Sequence, residues 1–210
     1  SLFNVLTGYS RPPVYNKMVV APHDMRNFFK HMILKEISNS EKGLPCGITA
    51  KVNSLVDPEI IDLLYKASQA NVPISLIVRG ICCLIPGLPG ISDNITVRSI
   101  VGQLLEHSRI FRFENAGVPK IYMGSADWMP RNLDRRVELV FPIDDEDLKK
   151  RAFDILSLML HDNVNARIMK PDTFYQHVDK RGKVPCNCQT TFSYLAKEAV
   201  KQLGQLDKSQ

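Results

Sequence analysis

Four apolar residues interrupted by one serine, Ile74-Ser75-Leu76-Ile77-Val78, constrain this chain more than any other stretch. A run this short and this apolar suits a strand buried on both faces. Ahead of it lies a helix with an explicit start. Asp57 can cap free N–H groups, and Pro58 tolerates the first helical position. Ile60, Ile61, Leu64 and Ala67 supply a buried stripe, which Asn71-Val72-Pro73 ends. Earlier still, Gly47 to Val52 alternates, with Ile48, Ala50 and Val52 on one face. A strand, a capped helix and a second strand form a βαβ unit. The expected fold class is therefore α/β, a mixed, mostly parallel sheet flanked by helices on both faces.

The rest of the chain fits that frame. Residues 1–15 read as a lead-in segment from a preceding domain, residues 16–189 as one catalytic domain, and 190–210 as a C-terminal helix packed on it. Asn16 to Val20 predicts a short strand and 23–39 a helix on Met25, Phe28, Phe29, Met32, Ile33 and Ile37. Arg136 to Phe141 alternates as a strand should. Asp144 or Asp145 can cap a helix with the face Leu148, Ala152, Ile155, Leu156 and Met159, and Ala166 to Met169 reads as a strand. Residues 171–189 read as a polar loop. The last helix, near 190–204, is expected to bury Phe192, Leu195, Ala196, Ala199 and Leu203, and the tail from Asp207 to fray.

Composition bounds function loosely. At 210 residues, 44% hydrophobic and 23% charged, the chain is long enough for one sizeable core and is not disordered. A formal charge of +5 suits an anionic ligand but is too small to argue for nucleic acid, and none is expected. The five cysteines lack zinc-site spacing and are expected as buried, reduced thiols, which implies a reducing compartment. No signal peptide opens the chain, and no apolar run approaches the roughly 18 residues of a membrane span. The expected location is cytoplasmic. The opening Ser-Leu-Phe reads as the start of a fragment.

The chemistry concentrates between Pro73 and Arg136. Arg79 terminates the buried strand, where α/β sheets gather ligands, and a planar guanidinium grips phosphate through paired hydrogen bonds. Further on, Arg109–Glu114 and Lys120–Gly124 predict a hairpin turning at Asn115-Ala116-Gly117. His107 and Ser125 each lie nine residues from Ala116, so a turn centred there sets His107 against Ser125 and Asp127. Asp127 could then orient the imidazole and leave its other nitrogen for a phosphoryl oxygen. The plain alternative is a satisfied histidine at a strand entrance. Lys51, ahead of Asn53, Ser54 and a helix N-terminus, is a second candidate for phosphate, and Arg131 a third. Salt bridges to Asp134 and Glu138 account for at least one of Arg131, Arg135 and Arg136. The loop Pro86-Gly87-Leu88-Pro89-Gly90 is neither a Walker motif nor a dinucleotide fingerprint. No metal site is expected among these residues.

Four segments, LVDPEIIDLLYKAS, LIVRGICCLIPGLPGISDNI, SIVGQLLEHSRIFRFENAG and SADWMPRNLDRRVE, resemble the C-terminal domain of the bacterial polyphosphate kinase family. The match runs in order from about Leu2 to beyond Asp162 and weakens after Ala166. The resemblance implies a phospholipase-D-like fold, one of two such domains in a larger enzyme. That family transfers the terminal phosphate of ATP to inorganic polyphosphate, reversibly, through a phosphohistidine. The resemblance puts that nucleophile in a preceding domain, together with the ligands of Mg2+, so this fragment is expected to be inactive alone. It matches His107 to the family's second essential histidine and Arg79 to a nucleotide-contacting arginine. Implied partners are ATP, ADP, polyphosphate and the preceding domains, with self-association left open. His107-Ser108-Arg109 and Gly124-Ser125-Ala126-Asp127 also look like a degenerate phospholipase-D motif, with Arg109 in place of Lys and Asp127 in place of Asn. Two other readings stand: a phospholipase-D-type phosphodiesterase or nuclease, and a non-catalytic polyphosphate-binding module.

Overall fold

A computed structural model describes residues 17–206, and the side chains up to 202. The expectations for 1–16, for the Leu203 side chain and for the tail fall outside the described residues. Nine strands form one sheet in the order β1-β7-β6-β5-β2-β3-β4-β8-β9. They are β1 (Val19–Val20), β2 (Ile48–Val52), β3 (Ile74–Val78), β4 (Ile95–Ile100), β5 (Ile110–Phe113), β6 (Lys120–Gly124), β7 (Leu139–Pro142), β8 (Ala166–Met169) and β9 (Tyr175–His177). The helices are α1 (Met25–Glu41), α2 (Pro58–Gln69), α3 (Pro130–Asp134), α4 (Glu146–His161) and α5 (Cys188–Leu206).

The βαβ unit is as expected. Ile48 to Val52 pairs in parallel with Ile74 to Val78, and the Asp57 carboxylate caps α2 by accepting the Ile60 N–H at 3.0 Å. The parallel character is confined to the centre, to β2–β3 and β3–β4; the other pairings are antiparallel. Two strands lie where none was expected. β4 follows the glycine- and proline-rich loop, and β9 sits in the predicted polar loop with all three residues exposed. Backbone pairing with β8, rather than apolar burial, builds β9, so it left no pattern in the sequence.

Period-two alternation sorts the core into two layers. Ile48, Ala50, Val52, Leu76, Val78, Phe111 and Phe113 face α1 and α2. Ile77, Ile110 and Ile121 face Ala152, Leu156 and Met159 of α4, so helices cover both faces. On the α1 side Phe29, Phe111 and Trp128 pack at centroid distances of 4.7–5.6 Å. A charged clamp closes that layer. Arg26 of α1 donates to both oxygens of buried Asp57 at 2.9 and 2.7 Å and to both of Asp134 at 2.8 and 2.6 Å. Asp134 and then Asp57 hold the guanidinium above its ordinary pKa.

Three packing expectations fail. Leu148 at the start of α4 is exposed, and so are Leu195, Ala196 and Ala199 on α5; Phe192 is half-buried, and among the described side chains of α5 only Cys188 and Gln189 go under. An amphipathic stripe shows that a face is apolar without saying that a partner covers it. Likewise only Cys188 of the five free cysteines is buried, and Cys83 is exposed.

Asp162, fully buried after α4, anchors the second layer. Its carboxylate accepts N–H groups from Val164, Asn165, Ala166 and Cys188 at 2.8–3.0 Å. Desolvation pushes its pKa up, but the bonds from Cys188 and Asn165 outweigh that and hold it below the ordinary carboxylate value. Asp162→Ala orphans four backbone donors, those of Ala166 and Cys188 buried, and should cost roughly 2–4 kcal/mol in urea denaturation. Because the folded pKa is depressed, this stability is present above the unfolded value of about 3.9 and is lost as pH falls through the folded one. The variant should therefore unfold with a shallower acid dependence than the parent.

Candidate functional site

The site forms where the parallel strands end. Asn53 follows β2 and Arg79 follows β3, so the two side chains are neighbours, and Arg79 Nε donates to Asn53 Oδ1. Gly80 then turns against β2: its N–H donates to the Asn53 carbonyl at 2.8 Å, and a Cβ there would stand 2.7 Å from that oxygen. Close backbone approach therefore demands glycine at this position.

The loop 101–109 brings His107 to the same place. His107 is exposed, and its Nδ1 lies 2.8 Å from Arg79 Nη2. A guanidinium has no acceptor, so Arg79 donates and Nδ1 must carry a lone pair. The neutral imidazole then holds its proton on Nε2, pointing away from the arginine. Partial desolvation, followed by the cationic Arg109 and Arg79, lowers the imidazole pKa below its ordinary value.

Asp127 was expected to orient this ring. It does so only at one remove. The buried carboxylate accepts from Arg109 Nε and Nη2 at 3.2 and 3.1 Å and from the Asn53 backbone N–H at 2.7 Å. Desolvation opposes its charge, but Arg109 and the Asn53 N–H keep its pKa below the ordinary value. Arg109 in turn donates from Nη1 to the His107 carbonyl at 3.2 Å. Asp127 thus fixes Asn53, which holds Arg79, and Arg109, which holds the backbone of His107.

Ser125 leaves the site. The hairpin turns between Ala116 and Gly117, so Ile110 pairs with Met123 and not with Tyr122. A shift of one residue reverses side-chain direction. Ser125 donates instead to Glu138 Oε2 and accepts the Leu139 N–H at 3.1 Å, on the β7 side. Glu138 also accepts from Asn132 Nδ2 at 2.5 Å, and Asp134 pairs with Arg26, so Arg131, Arg135 and Arg136 make none of the salt bridges expected of them. Arg131 is exposed on α3, and the hydrogen bonds of Arg79 and His107 go to other residues.

Lys51 is not a free phosphate ligand either. It is 2% exposed on the α4 side of β2, and its Nζ donates to the carbonyls of Glu106 and Ser108 at 3.1 and 2.7 Å. An ion pair to Glu106 at 2.6 Å completes its shell. Desolvation lowers the lysine pKa and Glu106 opposes that shift. Lys51 therefore grips the backbone on both sides of His107. Glu106 was overlooked in the sequence, where an acid adjacent to His107 was the available signal. The loop from Pro86 to Gly90 is closed by Ser92, whose Oγ donates to the Ile85 carbonyl at 2.8 Å and accepts the Leu88 N–H at 2.9 Å, so it offers no phosphate cradle.

Comparison with known proteins decides the family. A family model described as polyphosphate kinase C-terminal domain 2 matches residues 18–189. This chain belongs to the polyphosphate kinase family. The polyphosphate kinase of Lactiplantibacillus plantarum is 49% identical over 201 residues, which cover 96% of this chain and 28% of that protein. The chain thus spans little more than a quarter of that relative. The crystal structure of polyphosphate kinase from Porphyromonas gingivalis superposes with a TM-score of 0.89 at 37% identity, covering 94% of this chain and 30% of that one. Nuc from Salmonella typhimurium, a phospholipase D family member, shares the fold alone, with a TM-score of 0.54 at 13% identity over 73% of this chain and 97% of that one.

The Lys51–Glu106 pair yields a prediction. Lys51→Met leaves the half-buried Glu106 carboxylate with only its Ser108 bonds and releases two carbonyls, and should destabilise the domain by roughly 2–4 kcal/mol in urea denaturation. Lys51→Met combined with Glu106→Gln should recover part of that loss, since the unpaired charge is gone.

Proposed function

We propose that this chain is the C-terminal catalytic domain of an enzyme that transfers the terminal phosphate of ATP to inorganic polyphosphate, reversibly, through a phosphohistidine on a preceding domain. The observation that carries the reading is the Arg79–His107 pair at 2.8 Å, outside the carboxyl ends of the parallel strands. Family membership and the small share of each relative that the chain covers support the placement of the nucleophile elsewhere.

The pair suits the charge that develops in phosphoryl transfer. Negative charge spreads over the equatorial oxygens of the moving phosphoryl group and onto the leaving oxygen. Arg79 keeps N–H donors beyond those used by Asn53 and His107, and a fixed guanidinium can meet two such oxygens together. His107 presents Nε2–H as a further donor. Both groups are held before substrate arrives, which is the condition for electrostatic stabilisation without reorganisation. Magnesium would neutralise the nucleotide phosphates in such a reaction. Among the described residues no three His, Cys, Asp or Glu side chains come together, and the ligands of that ion are proposed to lie on the preceding domains. ATP, ADP and polyphosphate are the proposed ligands, and the preceding domains the proposed partner. No described helix is long and apolar enough to cross a membrane, and a cytoplasmic setting is proposed on the free cysteines and on the substrate.

In the full-length enzyme, His107→Ala and Arg79→Ala should each lower polyphosphate synthesis by roughly 10²–10³-fold while the melting temperature stays close to the parent's. Arg79→Lys should also fail, because a point charge cannot hold Nδ1 and phosphate together. A well-folded His107→Ala enzyme with near-parental rates would overturn the reading. The isolated chain should take up no phosphate from ATP and magnesium. The neutral tautomer is the one held by Arg79, and its pKa is lowered, so the acid limb of kcat/KM should lie below the ordinary imidazole value of about 6.5.

A further inference from the structure

The loop that carries His107 has almost nothing of its own to hold it. Among the described residues, no backbone-to-backbone hydrogen bond involves residues 101–108. Val101, Leu104 and Leu105 are 62–77% exposed, so apolar burial does not fix it either. What remains is a set of side chains reaching in from rigid elements. Lys51 of β2 and Arg109 hold its second half, at the carbonyls of Glu106, His107 and Ser108. The first half is held by one residue from the far end of the chain. Gln189 Oε1 accepts the Leu104 N–H at 2.9 Å, and Gln189 Nε2 donates to the Leu104 carbonyl at 2.7 Å.

This is the bond pair that a neighbouring strand would make, supplied by one side chain. Gln189 is 8% exposed, and its backbone is itself pinned. The preceding N–H, from Cys188, goes to Asp162 Oδ2 at 2.8 Å, and Asp162 is held in turn through its carbonyl by Arg98 Nη1 at 2.6 Å. The chain of contacts thus runs from β4 through Asp162 and the first turn of α5 to Leu104, three residues before His107. Gly102 conforms to the arrangement. A Cβ there would overlap the Gln189 amide oxygen and stand 2.8 Å from its Cδ.

We propose that Gln189 is a positioning residue for His107: by pairing with both backbone groups of Leu104 it fixes the loop and sets the imidazole against Arg79. The inference rests on the proposed role of His107 in phosphoryl transfer. It gives the first turn of α5 a task in that site although, among the described residues, no hydrogen bond joins the helix to Arg79 or His107.

The test uses the full-length polyphosphate kinase with Gln189→Ala, Gln189→Glu and Gly102→Ala, read by steady-state kinetics and by peptide-level hydrogen exchange. Gln189→Ala should speed exchange across 101–109 with little change elsewhere, and should lower kcat by ~10-fold or more, the scale of a misplaced catalytic group. KM for ATP should move by less than about twofold, since the loss falls on the transition state. Gln189→Glu keeps the acceptor for Leu104 N–H and loses the donor, so it should lie between parent and alanine variant. Gly102→Ala displaces the amide without deleting it and should reproduce the local exchange and the kcat loss. Parental kcat in Gln189→Ala, or a kcat loss accompanied by faster exchange throughout the domain, overturns the proposal. If His107→Ala proves active, the phosphoryl-transfer reading fails. Exchange at 101–109 in Gln189→Ala still decides whether the clamp exists, and an unchanged loop refutes it independently.

Discussion

A buried carboxylate, Asp127, is the interaction on which the site depends. It lies between the end of β2 and the start of β5, accepting from the Asn53 backbone and from the Arg109 guanidinium. A single anion thereby organises two cationic or neutral arms that lead outward, Asn53 to Arg79 and Arg109 to the His107 carbonyl. Burying the charge is tolerable because its hydrogen-bonding capacity is filled. The catalytic candidates themselves remain accessible while the residues that aim them are buried.

This division explains why three candidates changed role. Lys51, Asp127 and Ser125 have the chemistry of phosphate or proton handling, and each spends it inside the protein. Lys51 satisfies two carbonyls, Asp127 satisfies Arg109, and Ser125 satisfies Glu138. Arg79 and His107 are the pair left facing outward. The arrangement also bears on the phospholipase-D resemblance. At the positions where the motif has Lys and Asn, Arg109 and Asp127 form an ion pair at 3.1 Å, which ties both groups into the scaffold.

The α5 helix shows how burial and function can separate. Its apolar residues Tyr194, Leu195 and Val200 lie in solvent, yet Cys188 and Gln189 at its start are buried, the former held by Asp162. Packing at one end is enough to fix Gln189, because the Asp162 carboxylate meets the backbone directly. The Arg26 clamp on the other face does the same for α1, α2 and α3, locking three helices through the carboxylates of Asp57 and Asp134.

Local signals in the sequence determined the βαβ unit, the Asp57 and Asp145 caps, the hairpin and the family, since capping, alternation and turn chemistry act over a few residues. They also marked Arg79 and His107 as the residues to watch. Their mutual contact, the one-residue shift in pairing that sent Ser125 to β7, and the grip of Gln189 on Leu104 were decided by tertiary structure. Each joins groups far apart in the chain, and a register is set by the turn's backbone rather than by the residues it brings together. Which of several polar side chains stays free for a ligand depends on which the fold has already satisfied, and that is fixed only when the strands are in place.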